Sequence, residues 1–222
     1  MKGSHDMNET TVMSSSISIS KSVYLKFKRL FDIVVSSVAL VILSPILLGV
    51  IIAIRVESKG KAVFTQERIG LNGKLFKLYK FRSMVENADE VLFEMLKNDK
   101  EIAEEYKVNK KLKDDPRITK VGRFIRKVSI DELPQLVNVL KGDMSLIGNR
   151  PYLPREKEDM GTYYNDIILS KPGITGLWQT SGRSNTTFKT RCKMEAEYSK
   201  TMSFRQDIKI FFKTFVVVFK GL

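Results

Sequence analysis

The chain is poor in the side chains that most often carry chemistry on their own. One cysteine, one histidine and one tryptophan occur in 222 residues. Cys192 has no partner, which excludes an intramolecular disulfide and fits a reducing compartment. His5 lies in a polar, serine-rich stretch, so histidine triads and His-ligated zinc are excluded as well. Negative charge is also scarce: 38 basic side chains face 25 acidic ones, a net charge of +13. Such a surplus calls for an anionic partner, whether a phosphate ligand, nucleic acid or a lipid surface. Aromatics are not interleaved with the basic residues as a single-strand binder requires, so nucleic acid is not expected. At 43% hydrophobic and 28% charged residues, the chain is neither wholly disordered nor a polytopic membrane protein. Its length suits one domain with a real core.

What the chain does have is one long uncharged run. Residues 1–20 show no helical periodicity and are expected to form a disordered tail. Ile33 to Ile54 then contribute 22 residues without a charge. The run starts too late for a simple signal peptide and lacks a small-residue cleavage site. As a straight helix it would measure about 33 Å, against roughly 30 Å for a bilayer core. Pro45 near its centre removes an amide donor and collides with the Val41 carbonyl, and Ser44 offers a hydroxyl to a freed backbone group. Lys21, Lys26, Lys28 and Arg29 precede the run, while Arg55, Lys59 and Lys61 follow it. The positive-inside bias therefore pulls both ends toward the cytoplasm. Residues 21–55 read either as a helix–break–helix hairpin that dips in and returns, or as a proline-kinked helix that crosses. The residues alone weigh the two evenly. Near the C-terminus Ile208, Phe211, Phe212, Phe215 and Phe219 recur at helical spacing, with Lys209, Lys213 and Lys220 elsewhere around the helix. Behind a membrane-embedded segment, that pattern suits an amphipathic helix in the headgroup layer.

Residues 1–54 hold five basic and three acidic side chains, so the remainder keeps +11. Residues 56–222 are expected to form a cytoplasmic α+β domain, helix-rich with a small β-hairpin. The hairpin is AVFTQERIG and LFKLYKFRS around a turn at Asn72-Gly73. Period-two alternation puts Lys80 and Arg82 on one face at the end of the returning strand, where they suit a phosphate or simply a solvated strand end. A polar helix is expected over residues 86–113.

The densest stretch runs from Ile118 to Pro151. Val121, Phe124, Ile125 and Val128 form one helical stripe, with Arg123, Arg126 and Lys127 off it. Leu133, Leu136, Val137 and Leu140 form another, closed by Gly142. Pro134 is tolerable only in a first turn, so this helix should begin at about Asp131. Asp131 and Glu132 then lie at the positive end of a helix dipole, as capping acids or as chemistry. Arg126 upstream, Arg150 downstream, and Lys80 with Arg82 surround them in expectation. Cations so placed would hold Asp131 ionised and bind phosphate oxygens.

These residues carry a resemblance. The chain resembles the monotopic phosphoglycosyl transferases, bacterial sugar transferases of the small kind that lack an N-terminal multi-span domain. From about Lys28 onward it shows KRLFD, the Ser44-Pro45 break, QERIG, KFRSM, SIDELPQLVNVLKGDMSLIG, KPGITGLWQTSGR and DIKIF in the family's order. The resemblance implies a monotopic protein at the cytoplasmic face of the bacterial plasma membrane, with a re-entrant hairpin and interfacial amphipathic helices. It implies transfer of a sugar-1-phosphate from a UDP-sugar to undecaprenyl phosphate, with release of UMP and Mg²⁺ at the site. Asp131 matches the family nucleophile, which forms a phosphosugar–aspartyl intermediate and stands near the metal; Glu132 matches its partner carboxylate. Arg126 would grip phosphate, and Lys80 and Arg82 would line the site. Arg150-Pro151 resembles the family's Pro-Arg-Pro segment, although Asn149 replaces its first proline. Arg183 is carried as a further substrate contact, and KPGITG as a loop that serves either a ligand or a turn. Membrane lipid is an expected partner, and a homodimer is compatible with the sequence.

Overall fold

The computed structural model describes residues 5–110, 112–181 and 186–219, with side chains described from Lys21 to Val217 within those ranges. Arg183 therefore lies outside the described residues. Helix α1 (His5–Glu57) contains the whole uncharged run. An 18-residue window within Lys21–Glu57 reaches a mean hydropathy of 2.8 with only 11% of it buried, which excludes a soluble core helix. Exposure is high beside the proline, with Val41 74% and Ile42 68% exposed. The expected break does not interrupt the helix, which continues through Pro45. The reason is local: Ser44 Oγ donates to the Val41 carbonyl at 2.8 Å, the acceptor that Pro45 leaves without its amide.

The hairpin forms as the alternation requires. Strands β1 (Val63–Ile69) and β2 (Leu75–Phe81) pair antiparallel, with Val63 opposite Phe81 and Ile69 opposite Leu75. The connection carries positive φ at Asn72 (54°) and Gly73 (78°). The polar helix expected over 86–113 is two helices, α2 (Ala88–Asn98) and α3 (Lys100–Asn109). They divide at Asp99, whose carboxylate accepts the amides of Glu101 and Ile102 as a new N-cap. Helix α4 (Lys120–Lys127) is capped by Thr119, and α5 (Gln135–Lys141) ends at Gly142 with φ 88°.

A second, parallel sheet of β3 (Ser145–Ile147) and β4 (Gly173–Thr175) has no counterpart in the expected fold. A Cβ on Gly173 would stand 2.1 Å from the Gly148 amide nitrogen, and one on Gly176 2.0 Å from the Gly148 carbonyl oxygen. The glycines of KPGITG thus allow two backbones to touch. Short helices α6 (Lys157–Met160), α7 (Tyr164–Ile167) and α8 (Leu177–Ser181) lead to α9 (Phe188–Thr201) and α10 (Phe204–Phe219).

Two of the three core clusters pack against α1, while the third, around Tyr152, Met160, Ile167 and Phe188, does not involve it. One cluster joins Leu78, Leu136, Val139, Leu146, Tyr198 and Ile210, with Val35, Ala39 and Leu40 of α1 against it. Another joins Ala62, Phe81 and Ile125 to Ile54, with Leu47, Val50 and Ile51 beside them. Polar clamps fix both ends of the run. At its start Lys28 pairs with Asp207, and Arg29 donates to the Val139 and Leu140 carbonyls at the end of α5. Asp32 accepts the Leu146 amide at 2.9 Å. At its close Glu57 accepts the Val121 amide at 3.1 Å, in the first turn of α4. Phe211 of α10 meets Phe31 of α1 edge to face at 5.6 Å. Phe204, Phe212 and Phe215 stay exposed, extending the apolar surface of α1.

The glycine contacts make a test. Gly173→Ala should cost at least about 2 kcal/mol, because neither backbone can yield. Thermal unfolding in detergent checks it, and an unchanged melting temperature would contradict the close approach.

Candidate active site

Pro134 shapes the site. It denies α5 an amide, and the chain enters that helix through a 3₁₀ turn, Ile130–Glu132, so Asp131 does not cap α5 as expected. Leu133 donates back to Ile130 at 3.1 Å, closing the turn. Ser129 precedes it with φ 58°, a left-handed conformation for a residue with a Cβ, and turns the chain from α4 into the site. Asp131 ends 3% exposed. Lys80, near the end of β2, places Nζ 2.9 Å from Asp131 Oδ2 and 3.4 Å from Glu132 Oε1.

The electrostatics differ from the expectation of an aspartate held ionised by arginines. Burial pushes the Asp131 carboxyl above its ordinary value, and the Glu132 charge adds to that. Lys80 opposes the shift as the nearest cation, and Arg126 contributes less from the exposed last turn of α4. Desolvation is the largest influence because the Asp131 side chain is almost fully buried.

The remaining expected site residues divide. Arg82, on the same strand face as Lys80, is not brought to the dyad. Its guanidinium donates to the Ser58 carbonyl at 2.9 Å and the Lys59 carbonyl at 2.6 Å, capping the end of α1. Arg150 lies over the Trp178 ring at 5.9 Å, and its amide donates to Glu195 Oε1 at 2.9 Å. The Pro151 carbonyl accepts from Arg68 Nη1 at 2.9 Å. Asn149, where the family segment has proline, is a buried hub. Its Nδ2 donates to Ile167 O, Ser170 Oγ and Ser199 Oγ, joining β3 to α7 and α9.

Arg68 and Arg191 were not foreseen. Arg191 stacks on Trp178 at 4.0 Å, and the Nε atoms of Arg68, Arg150 and Arg191 are buried without a hydrogen-bond partner. Burial and the neighbouring Arg150 push the Arg68 guanidinium down to about 10. Glu156 partly offsets this and Glu132 adds a smaller contribution, so Arg68 feels the charge of the dyad's glutamate. Arg68 stands in QERIG and was visible there as a motif residue; Arg191, in the middle of α9, had no local signal. Among the described residues no three His, Cys, Asp or Glu side chains form a ready cage for a metal. Asp131 and Glu132 still suit Mg²⁺, a hard cation that commonly takes one or two carboxylates and completes its shell with substrate phosphates and water.

A buried aspartate beside a half-buried glutamate and a lysine, on a domain with an exposed apolar helix, is an arrangement that suits an anionic substrate. Residues 23–221 match the family described as bacterial sugar transferase, and the chain belongs to that family. An undecaprenyl-phosphate galactose phosphotransferase of Salmonella typhimurium is 49% identical over 196 residues, 87% of this chain and 40% of that protein. A UDP-glucose:undecaprenyl-phosphate glucose-1-phosphate transferase of Escherichia coli is 38% identical over 202 residues, again 87% and 40%. The exopolysaccharide production protein ExoY of Sinorhizobium fredii is 42% identical over 191 residues, 86% of this chain and 84% of that protein. The chain thus spans about two fifths of the first two relatives and most of the third.

Glu195 gives the site region a pH dependence. It is fully buried, and burial pushes its carboxyl from 4.5 up to about 7. Between those values the folded chain keeps a proton that the unfolded chain has lost. Stability therefore falls as pH rises through that window, by on the order of 3 kcal/mol. Glu195→Gln keeps an acceptor for the Arg150 amide. Its melting temperature should gain on the wild type as pH rises from about 5 to about 8, and a pH-independent difference would contradict the assignment.

Proposed function

We propose that this protein transfers a sugar-1-phosphate from a UDP-sugar to undecaprenyl phosphate and releases UMP. The observation that carries the reading is the buried Asp131 held 2.9 Å from Lys80 beside Glu132. Asp131 attacks the sugar-bearing phosphorus of the donor. An Oδ–P bond forms, the bond from that phosphorus to the bridging oxygen breaks, and UMP leaves with the electron pair. An oxygen of the acceptor phosphate then attacks the same phosphorus, breaks the Oδ–P bond and frees Asp131. A covalent intermediate lets a soluble donor and a lipid acceptor use one site in turn. Lys80 orients Asp131 and offsets its charge as the anionic donor approaches. Arg68, Arg150 and Arg191, with unused Nε–H donors, suit the donor phosphates. Asp131 and Glu132 would hold Mg²⁺, which supplies neutralisation of the diphosphate when bound.

The membrane arrangement belongs to the same reading. A crossing helix puts its ends on opposite sides of a bilayer, yet both ends of the apolar run are clamped to one domain. We take α1 to bend at Pro45 while staying helical, so that it enters the lipid from the cytoplasmic face and returns to it with Ser44-Pro45 deepest, and α10 to lie in the headgroup layer. The acceptor phosphate waits in that layer. The sugar transferred follows from the donor that turns over, and the product is a first lipid-linked intermediate for capsule, exopolysaccharide, O-antigen or a related glycoconjugate.

The test is UMP release from a panel of UDP-sugars with Mg²⁺ and undecaprenyl phosphate in reconstituted protein. One donor should give acceptor-dependent release, and Asp131→Asn should lower it more than about 10³-fold. Release that survives Asp131→Asn would overturn the role of Asp131. The acid limb of the rate profile should lie above the ordinary aspartate range, since Asp131 must ionise. Lys80→Met removes the cation that favours ionisation, so its limb should move to higher pH; a limb that stays put would leave Lys80 without that role.

A further inference from the structure

The transfer reaction gives Glu195 no task, yet the fold sets it against the arginines. It is 1% exposed in the middle of α9, one turn beyond Arg191 on the same helix face. An ion pair is the ordinary reason to bury such a residue. Glu195 is used differently: Oε1 accepts the Arg150 amide at 2.9 Å, and Oε2 is buried without a hydrogen-bond partner. The carboxyl therefore holds main chain. The guanidinium groups of Arg150 and Arg191 stay over Trp178, each with a buried Nε that has no acceptor.

The groups facing this carboxyl come from two segments. Arg191 and Cys192 belong to α9 itself, and Arg150 and Tyr152 to the chain that follows β3. Glu156, farther along that chain, acts on the same Arg191 and Cys192, while Arg68 of β1 couples to Arg150. Burial favours the neutral acid, whereas the Tyr152 hydroxyl, the Arg150 amide and the charges of Arg150 and Arg191 favour the carboxylate. The balance lies at about 7, so one negative charge appears among the arginines as pH crosses neutrality. Arg191 feels that charge directly.

We propose that Glu195 is a positioning residue for the donor: it fixes Arg150 through the backbone amide, and its charge sets how strongly Arg150 and Arg191 hold the diphosphate. The inference rests on the transferase reading above, which gives those arginines the donor phosphates. Neutral Glu195 leaves the field of the guanidinium groups undiminished. Ionised Glu195 cancels part of that field and repels the diphosphate. A UDP-sugar has no phosphate group that titrates near neutrality, so the change belongs to the protein. Donor affinity falls as pH rises through about 7. A carboxyl with a purely structural role would give no such slope.

The test is calorimetric Kd in the reconstituted full chain at fixed Mg²⁺, from about pH 6 to about pH 8. The probe is the UDP-sugar that turns over, or UDP-galactose and UDP-glucose where none does. Asp131→Asn serves as the parent, so that no donor is consumed. Its Kd should rise about fivefold across the range, the effect of one partly screened charge. Adding Glu195→Gln should hold Kd near the low-pH value throughout. Adding Glu195→Ala should also remove the slope but weaken binding about tenfold at every pH, because the Arg150 amide loses its acceptor. A Glu195→Gln protein whose Kd follows the parent would overturn the proposal, as would a flat parent Kd or no binding at all. Glu195→Ala that binds like Glu195→Gln would overturn the positioning of Arg150. A slope that Glu195→Gln cancels, in a chain whose wild type releases no UMP, would sink the transferase reading and leave Glu195 governing a nucleotide-sugar site.

Discussion

An apolar helix of membrane length has to end in polar surroundings, and here both of its ends finish on the same domain. Arg29 and Asp32 hold the start of the run against the end of α5 and the start of β3. Glu57 and Arg82 hold its close against α4 and the returning hairpin strand. These elements are the ones that carry or flank Lys80 and Asp131. The apolar helix and the site are therefore held by the same contacts: the clamps on the two ends of the run also bind the elements that carry or flank the dyad. Phe31 against Phe211 brings α10 into the same apolar surface.

The second constraint is a buried charge. Asp131 is almost fully removed from water, and one lysine offsets part of the cost of its ionised form. A carboxylate left in that balance gains from a second cation arriving with substrate, which is what a metal-bound diphosphate brings. The same logic applies to the arginine group in reverse. Arg150 and Arg191 over Trp178, with Arg68 electrostatically coupled to Arg150, keep unused Nε donors, and an anion would relieve both their repulsion and their missing hydrogen bonds.

Local chemistry was legible in the sequence, and convergence over distance was not. Asn72-Gly73 and period-two alternation located the hairpin, Gly142 located the end of α5, and the uncharged run located α1. The dyad was readable because Pro134 restricts what precedes α5. Strands β3 and β4 were not, since three residues are too few to show a period, and their glycines looked like turn residues until the backbones were seen to touch. Lys80 and Arg82 share a strand face, yet only Lys80 reaches Asp131, because the end of α1 offers Arg82 unpaired carbonyls. The raised proton affinity of Asp131 depends on burial by distant apolar residues, which spacing does not reveal. Arg191 joins Arg150 only through the fold of α9 over α8.

The central claim is that Asp131 itself carries the sugar phosphate between donor and acceptor. Intact-protein mass spectrometry of the full chain, incubated with Mg²⁺ and its UDP-sugar but no acceptor, tests it most directly. The account predicts a gain equal to one sugar phosphate, on the peptide containing Asp131, that disappears when undecaprenyl phosphate is added. Acceptor-dependent UMP release with no such adduct, or an adduct on another residue, would contradict it.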